Sequence, residues 1–172
     1  MIRSEMRLRQ KDFAASGKET AEAAALWAKV ENLPEFSSAG TILLYMSIEG
    51  EVPASGFIEK WRTVKRILIP KVAGDDLLLY EYDPDRLTQG YRGILEPAED
   101  AVQAEYSDVD LAIVPGVAFT RSGIRLGRGK GFYDRLLPRL TCPKAGICFS
   151  YRIIPDIPTD PWDITLDKVI FL

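Results

Sequence analysis

The sequence predicts an α/β protein, a layered α/β/α arrangement around a mainly parallel central sheet. Three observations carry this expectation. Helix-like and strand-like segments alternate along the chain, the pattern of a sheet with helical connections. The strand candidates are short apolar runs, Leu111-Ala-Ile-Val114 being the clearest. Three of them run directly into polar or Pro/Gly segments, where an open α/β sheet places its ligand crevice.

Residues 3–33 read as helix with a break at Ser16-Gly17, since 21–30 is rich in helix formers and Pro34 ends the stretch. Residues 41–46 follow as a buried strand, and 53–62 as a helix. Residues 67–69 form a short strand that Pro70 is expected to stop, and 77–82 another strand. Residues 83–108 are acidic and turn-rich, with Asp83-Pro84, Gly90, Gly93 and Pro97, and read as a long surface excursion with a short helical piece. After 111–114 come a helix over 132–137 stopped by Pro138, and strands at 145–148 and 168–171. The carboxyl-end rule would bring Glu51, Lys71 and a glycine-rich loop at 125–131 to one rim of the sheet.

A chain of 172 residues is expected to form one domain over 1–172 with a sizeable core. No apolar run approaches the roughly 20 residues of a membrane helix, and the start of the chain lacks the apolar region of a secretory signal. Cys142 and Cys148 make neither a CxxC pair nor a disulfide framework, so both read as packing residues in a reducing cytoplasm. There is no histidine. That excludes Ser-His-Asp and Cys-His catalytic units and His-bearing zinc sites. Any base must be a carboxylate, Lys, Tyr or water, and any metal a hard ion held by oxygen, Mg²⁺ being the natural companion of phosphate.

The densest chemistry lies in 121–135. Arg121, Arg125, Arg128, Lys130 and Arg135 stand there against a single acid, Asp134, in a chain of net charge -3. A positive island on an acidic protein is an address for an anion, and not for nucleic acid, which calls for a long basic stripe. Gly127, Gly129 and Gly131 alternate with the cations, and glycine lets a ligand approach backbone N–H groups closely. A phosphate cradled by these amides ahead of the next helix is the simplest physical reading. The spacing is neither a P-loop nor GxGxxG after a strand.

Other constellations read blandly on spacing alone. Asp134 fits a helix-dipole acid, worth less than about 1 kcal/mol, or a metal ligand beside phosphate. Asp160, Asp163 and Asp167 form a solvated acidic turn, and Glu49 and Glu51 solvated loop acids. Arg3 and Arg7, at i and i+4, share a helix face. Phe132 and Tyr133 either join the core or stack on a ligand ring. Trp27 and Trp61 read as core.

Arg125-Leu-Gly-Arg-Gly-Lys-Gly-Phe-Tyr-Asp134 resembles the signature of the 5-formyltetrahydrofolate cyclo-ligases, also called methenyltetrahydrofolate synthetases. The resemblance extends, in family order, to Tyr45-Met-Ser-Ile-Glu-Gly-Glu51, Ile69-Pro-Lys71, Gly93-Ile-Leu-Glu-Pro97, Asp110-Leu-Ala-Ile-Val-Pro-Gly116 and Trp162-Asp-Ile-Thr-Leu-Asp167. It implies a fold related to the sugar-phosphate isomerase and CoA-transferase-like group. It also implies ATP- and Mg²⁺-dependent cyclisation of a reduced folate by a cytoplasmic enzyme, expected to act as a monomer without nucleic-acid or membrane partners. Arg3, Arg7, Arg125, Leu126, Gly127, Arg128, Gly129, Lys130, Gly131, Phe132 and Tyr133 match nucleotide-contacting positions. Arg7, Met46, Glu51, Arg128, Gly129, Lys130, Gly131 and Phe132 match folate-contacting positions, and Asp134 and Asp163 match the magnesium ligands. Lys130, Arg128 and Arg125 are then the expected catalytic cations. On the same resemblance, Arg3 stands where lysine is usual, Phe132 where tyrosine is common and Trp162 where histidine is frequent. Two other readings share these residues: an ATP-dependent enzyme acting on another formamide or small acid, and a non-catalytic nucleotide- or folate-binding module.

Overall fold

The computed structural model describes residues 1–90, 93–161 and 163–172. Helices α1 (Ile2–Ala15) and α2 (Glu19–Glu31) part where expected, at Ser16-Gly17, with Gly17 at φ +69°. As expected the stretch ends ahead of Pro34, with α2 stopping at Glu31 and Leu33 extended at ψ 134°, but Pro34 also starts a third helix, α3 (Pro34–Ser38), because an N1 position loses nothing by lacking an N–H. Strand β1 (Thr41–Leu43) and helix α4 (Ser55–Trp61) follow.

Seven strands form the main sheet. They are β1, β2 (Arg66–Ala73), β3 (Asp76–Glu81), β6 (Gln103–Ala104), β7 (Leu111–Val114), β10 (Lys144–Ile147) and β11 (Lys168–Ile170), in the order β11-β10-β7-β1-β2-β3-β6. The five from β11 to β2 run parallel, and β3 and β6 add an antiparallel edge. The sheet is therefore mixed but mostly parallel. A two-residue turn at Gly74-Asp75, with Gly74 at φ +63°, folds β3 back on β2.

Pro70 does not stop β2. Tyr82 N–H donates to the Ile67 carbonyl, so odd-numbered residues of β2 bond toward β3. Pro70 turns its missing N–H to the other side, where β1 has already ended opposite Leu68. The excursion after β3 contains more order than expected. Strands β4 (Leu87–Gln89) and β5 (Leu95–Pro97) pair as a hairpin, and β6 rejoins the sheet edge. A second small hairpin, β8 (Ala118–Phe119) with β9 (Arg125–Leu126), carries the chain into the glycine-rich loop.

Side chains alternate across the sheet into two cores. Ile42, Ile67, Ile69, Leu111 and Ile113 meet α2, α3 and α4 through Leu26, Trp27, Val30, Phe36, Phe57 and Ile58. Leu43, Leu68, Ala112 and Val114 meet Leu136, Leu137 and Leu140 on the opposite face. The helical layers are thus unequal, because the second consists of α5 (Phe132–Leu136) and a 3₁₀ turn at Leu137–Arg139. Each fully buried Leu or Ile contributes about 1.5–3 kcal/mol. Surface ion pairs such as Arg9–Glu5 and Arg62–Glu59 contribute about 0–1 kcal/mol, so the two apolar layers, not the charges, hold the sheet.

Candidate functional site

A cavity of about 430 Å³ opens at the carboxyl ends of β1 and β7. Its walls come from the segment after β1 (Tyr45, Met46, Ile48, Glu51), from Pro70, Val72 and Leu77 of the hairpin, and from Ile94 and Glu96. Pro115 and Gly116 follow β7, and Arg125 and residues 127–134 close the remaining side. The rim expected from sequence is present, with one change. Lys71 does not line it. Neighbouring residues of a strand face opposite ways, so Pro70 and Val72 face the cavity while the Lys71 ammonium lies 5.8 Å from the Tyr80 ring.

The glycine-rich loop is tied at several points. The Arg125 side chain is 5% exposed, with its Nη2 donating to Asp134 Oδ1 at 2.6 Å and its Nη1 to the Pro115 carbonyl at 3.4 Å. Its guanidinium lies 5.2 Å from the Tyr133 ring. Arg3 reaches over from α1, donating through Nε to the Gly127 carbonyl at 3.0 Å. Arg135 donates to the Lys130 carbonyl at 3.0 Å and to the Asp75 carbonyl at 2.7 Å. Gly129 and Gly131 have φ of +95° and +70°, backbone that a side chain would strain. Helix α5 has five residues, so its dipole is slight. What it offers an anion is the amides of 132–134, which precede its first internal bond, Arg135 N–H to Gly131 at 3.1 Å.

Arg128 crosses the cavity mouth. Its Nη2 donates to Glu51 Oε1 at 3.1 Å and its Nε to the same oxygen at 3.4 Å. The other carboxylate oxygen, Oε2, accepts the Ile48 N–H at 3.2 Å. Glu51 is 9% exposed, and burial pushes its carboxyl above the ordinary value of 4.5. The charge of Arg128, the Ile48 N–H and the charge of Arg152 pull the other way. Burial also pushes the Tyr133 phenol well up, so that ring serves as a neutral wall. Lys130 is exposed at the cavity edge, and among the described residues no carboxylate pairs with it. It is the loop cation left for a ligand.

The remaining expected residues divide. Met46, Phe132, Tyr133 and Asp134 line the cavity, the Asp134 side chain 40% exposed. Arg7 is exposed on α1 and outside the lining. Asp163 is exposed in the turn before β11. Its Oδ2 accepts the Asp160 N–H at 2.8 Å, and it does not line the cavity. Trp162 lies outside the described residues. Asp167 is a structural acid, accepting the Lys144 N–H at 2.7 Å. Burial raises both thiols, Cys148 to about 12, which suits packing rather than nucleophilic roles.

Two buried charges were not singled out from sequence. Glu96, 7% exposed, lines the cavity. It sits in the Leu-Glu-Pro run already noted for its resemblance, which was the available signal. Arg152, 3% exposed, follows β10 in a 3₁₀ turn at Ser150–Arg152, and no spacing marks it.

Comparison with known proteins identifies the family. Residues 1–171 match the model of the 5-formyltetrahydrofolate cyclo-ligase family. The Escherichia coli K12 5-formyltetrahydrofolate cyclo-ligase is 33% identical over 146 residues, 80% of each chain. That of Haemophilus influenzae is 30% identical over 178 residues, 98% of this chain and 95% of its own. The solution structure of Aquifex aeolicus 5,10-methenyltetrahydrofolate synthetase superposes with a TM-score of 0.83. It is 34% identical and covers 99% of this chain and 90% of its own. The chain belongs to the 5-formyltetrahydrofolate cyclo-ligase family and is a ligase of folate one-carbon metabolism.

Proposed function

We propose that this ligase converts 5-formyltetrahydrofolate to 5,10-methenyltetrahydrofolate by phosphorylating the formyl oxygen, and that the 125–134 segment performs the transfer. The chemical difficulty is the leaving group. Direct cyclisation would expel hydroxide or water from the formyl carbon. When the formyl oxygen attacks the γ-phosphate of ATP in line, ADP departs and an N5-iminium phosphate forms. N10 then adds to the activated carbon, phosphate leaves with the former formyl oxygen, and N10 loses its proton to solvent.

Phosphoryl transfer needs positioning and charge neutralisation more than covalent help. Lys130 and Arg128 neutralise the terminal phosphates, with Arg125 behind them. The glycine amides at 127, 129 and 131 cradle the chain of phosphates, and Arg3 and Arg7 extend the nucleotide site along α1. Met46 and Phe132 give the folate an apolar bed, and Glu51 orients its polar ring or formamide. The absence of histidine is no handicap, since no strong protein base is demanded.

Asp134 and Asp163 are the proposed Mg²⁺ ligands. The donor chemistry suits Mg²⁺, which takes hard oxygens and is commonly held by one or two carboxylates together with substrate phosphates; the structure brings Asp134 to the cavity and leaves Asp163 outside its lining. Asp134 is partly exposed in the cavity wall, one of its oxygens already bonded to Arg125. When bound, the ion would neutralise phosphate charge. The cavity draws its lining from segments spread between Tyr45 and Asp134, which supports one domain over 1–172 rather than a division of the chain.

The observation that carries the proposal is the Arg128–Glu51 contact at 3.1 Å. It sets the phosphate loop and the folate-side acid against each other in one cavity. The test is turnover of Lys130→Ala, followed by the absorbance of the conjugated product. Loss of one preorganised cationic donor is expected to lower kcat by about 10²–10³-fold with an unchanged circular dichroism spectrum. Turnover equal to that of the wild type contradicts the proposal.

A further inference from the structure

Arg152 is a buried cation with an unusual set of partners. Among the described residues it has no carboxylate within ion-pair distance. Its guanidinium instead donates to backbone carbonyls. Nε and Nη2 both reach Gly50, at 2.9 and 2.6 Å, and Nη1 reaches Val117 at 2.7 Å. Nη2 also lies 3.4 Å from Gln10 Oε1 on α1. Tyr151, whose ring lies 5.0 Å from the guanidinium, adds its hydroxyl to the Gly50 carbonyl at 3.2 Å. Burying a guanidinium is expensive, and a packed apolar side chain commonly serves stability as well. What an apolar side chain cannot do is hold two carbonyls at fixed separation. Arginine's planar fork can.

The two carbonyls belong to the two sides of the cavity. Gly50, at φ +81° and packed against Gln10, immediately precedes Glu51 in the 48–51 turn. Val117 opens the β8–β9 hairpin, its N–H donating to Leu126 at 2.8 Å, and that hairpin runs into the glycine-rich loop. Arg152 does not line the cavity itself, so any effect on the reaction passes through these segments. We propose that Arg152 is a positioning residue for the reaction. It clamps the Glu51 turn to Val117, at the entry to β8, and thereby holds the Glu51 carboxylate in folate-binding geometry. The proposal rests on the reading of Glu51 as a folate contact.

The loop keeps its other anchors when Arg152 is changed: Arg125 on Asp134, Arg3 on Gly127 and Arg135 on Lys130. The effect is therefore expected on folate and not on nucleotide. The experiment measures kcat and the KM for each substrate in wild type, Arg152→Gln, Glu51→Gln and the double variant. Arg152→Gln is expected to raise the folate KM about tenfold while the ATP KM stays within about twofold; in the Glu51→Gln background the same change should shift the folate KM by less than about twofold, since coupled residues are not additive. Arg152→Lys keeps the charge but lacks the fork, and is expected to behave like Arg152→Gln. It carries the same comparison if the glutamine variant does not fold. Equal shifts in both Glu51 backgrounds, or parallel rises in both KM values, overturn the proposal. A raised folate KM in Glu51→Gln with none in Arg152→Gln overturns the role of Arg152 alone. An unchanged folate KM in Glu51→Gln overturns the reading of Glu51 and this proposal with it.

Discussion

Glu51 shows how one side chain can trade stability for a site. Burial disfavours its charged form, and Arg128, the Ile48 N–H and Arg152 offset this only in part, so its carboxyl titrates above 4.5. A carboxyl raised in the folded state contributes stability that is complete below its unfolded value and is lost as pH rises through its folded value. Replacing it with the neutral isostere removes that loss. Glu51→Gln is therefore expected to melt above the wild type at pH 8, with the difference narrowing toward pH 4 in thermal scans. A wild type that melts higher at pH 8 would show that the Arg128 pair outweighs desolvation. Gln also accepts the Ile48 N–H, so the turn has no reason to open. The sequence marks this acid as a rim residue and, by resemblance, a folate contact, but spacing alone reads it as a solvated loop acid. Its burial depends on Val52 and Ala54 entering the core just after it, which spacing does not reveal.

At the scale of elements, the β8–β9 hairpin aims the phosphate loop, and Gly123 sits at its turn. Gly123 has φ +98°, its N–H donates to the Thr120 carbonyl, and an added Cβ would collide with the backbone oxygen of Leu166. Its own carbonyl accepts the Leu166 N–H at 2.9 Å. Gly123→Ala should therefore destabilise by at least the 1–3 kcal/mol typical of a strained φ, about that much or more once Leu166 is displaced, measured by denaturant unfolding. A loss below about 0.5 kcal/mol, the range of an ordinary surface change, contradicts this account of the turn. α1 and α2 with their break were legible from helix formers and the Ser16-Gly17 pair, and β7 from its unbroken apolar run. Residue type alone predicts both Pro70 and Pro34 as stops. The helix does end ahead of Pro34, though a new one begins there, while Pro70 leaves β2 intact because its neighbour β1 has already ended. β8 and β9 have two residues each, too few for any period to register.

At the scale of the molecule, the charges are divided in a way that composition suggested. A chain of net charge -3 gathers five cations in 121–135, and the structure disperses them. Arg125 and Arg135 anchor the loop, Arg121 lies over Phe171, Arg128 faces Glu51, and Lys130 faces the cavity edge. Only part of the positive island is thus available to a ligand. That distribution could not be read from sequence, because it is set by carbonyls and acids far away along the chain. Among the described residues no helix is long and apolar enough to cross a membrane. The mixed sheet places the strand ends, and with them Glu51, Gly116 and the loop, around one opening. The Arg152 clamp then spans both sides of it.

The central claim is that the γ-phosphate passes to the formyl oxygen. It is tested most directly by supplying 5-formyltetrahydrofolate labelled with oxygen-18 in its formyl group and analysing the released phosphate by mass spectrometry. The account predicts one labelled oxygen in each phosphate formed. Unlabelled phosphate, with the heavy oxygen recovered in water, would contradict it.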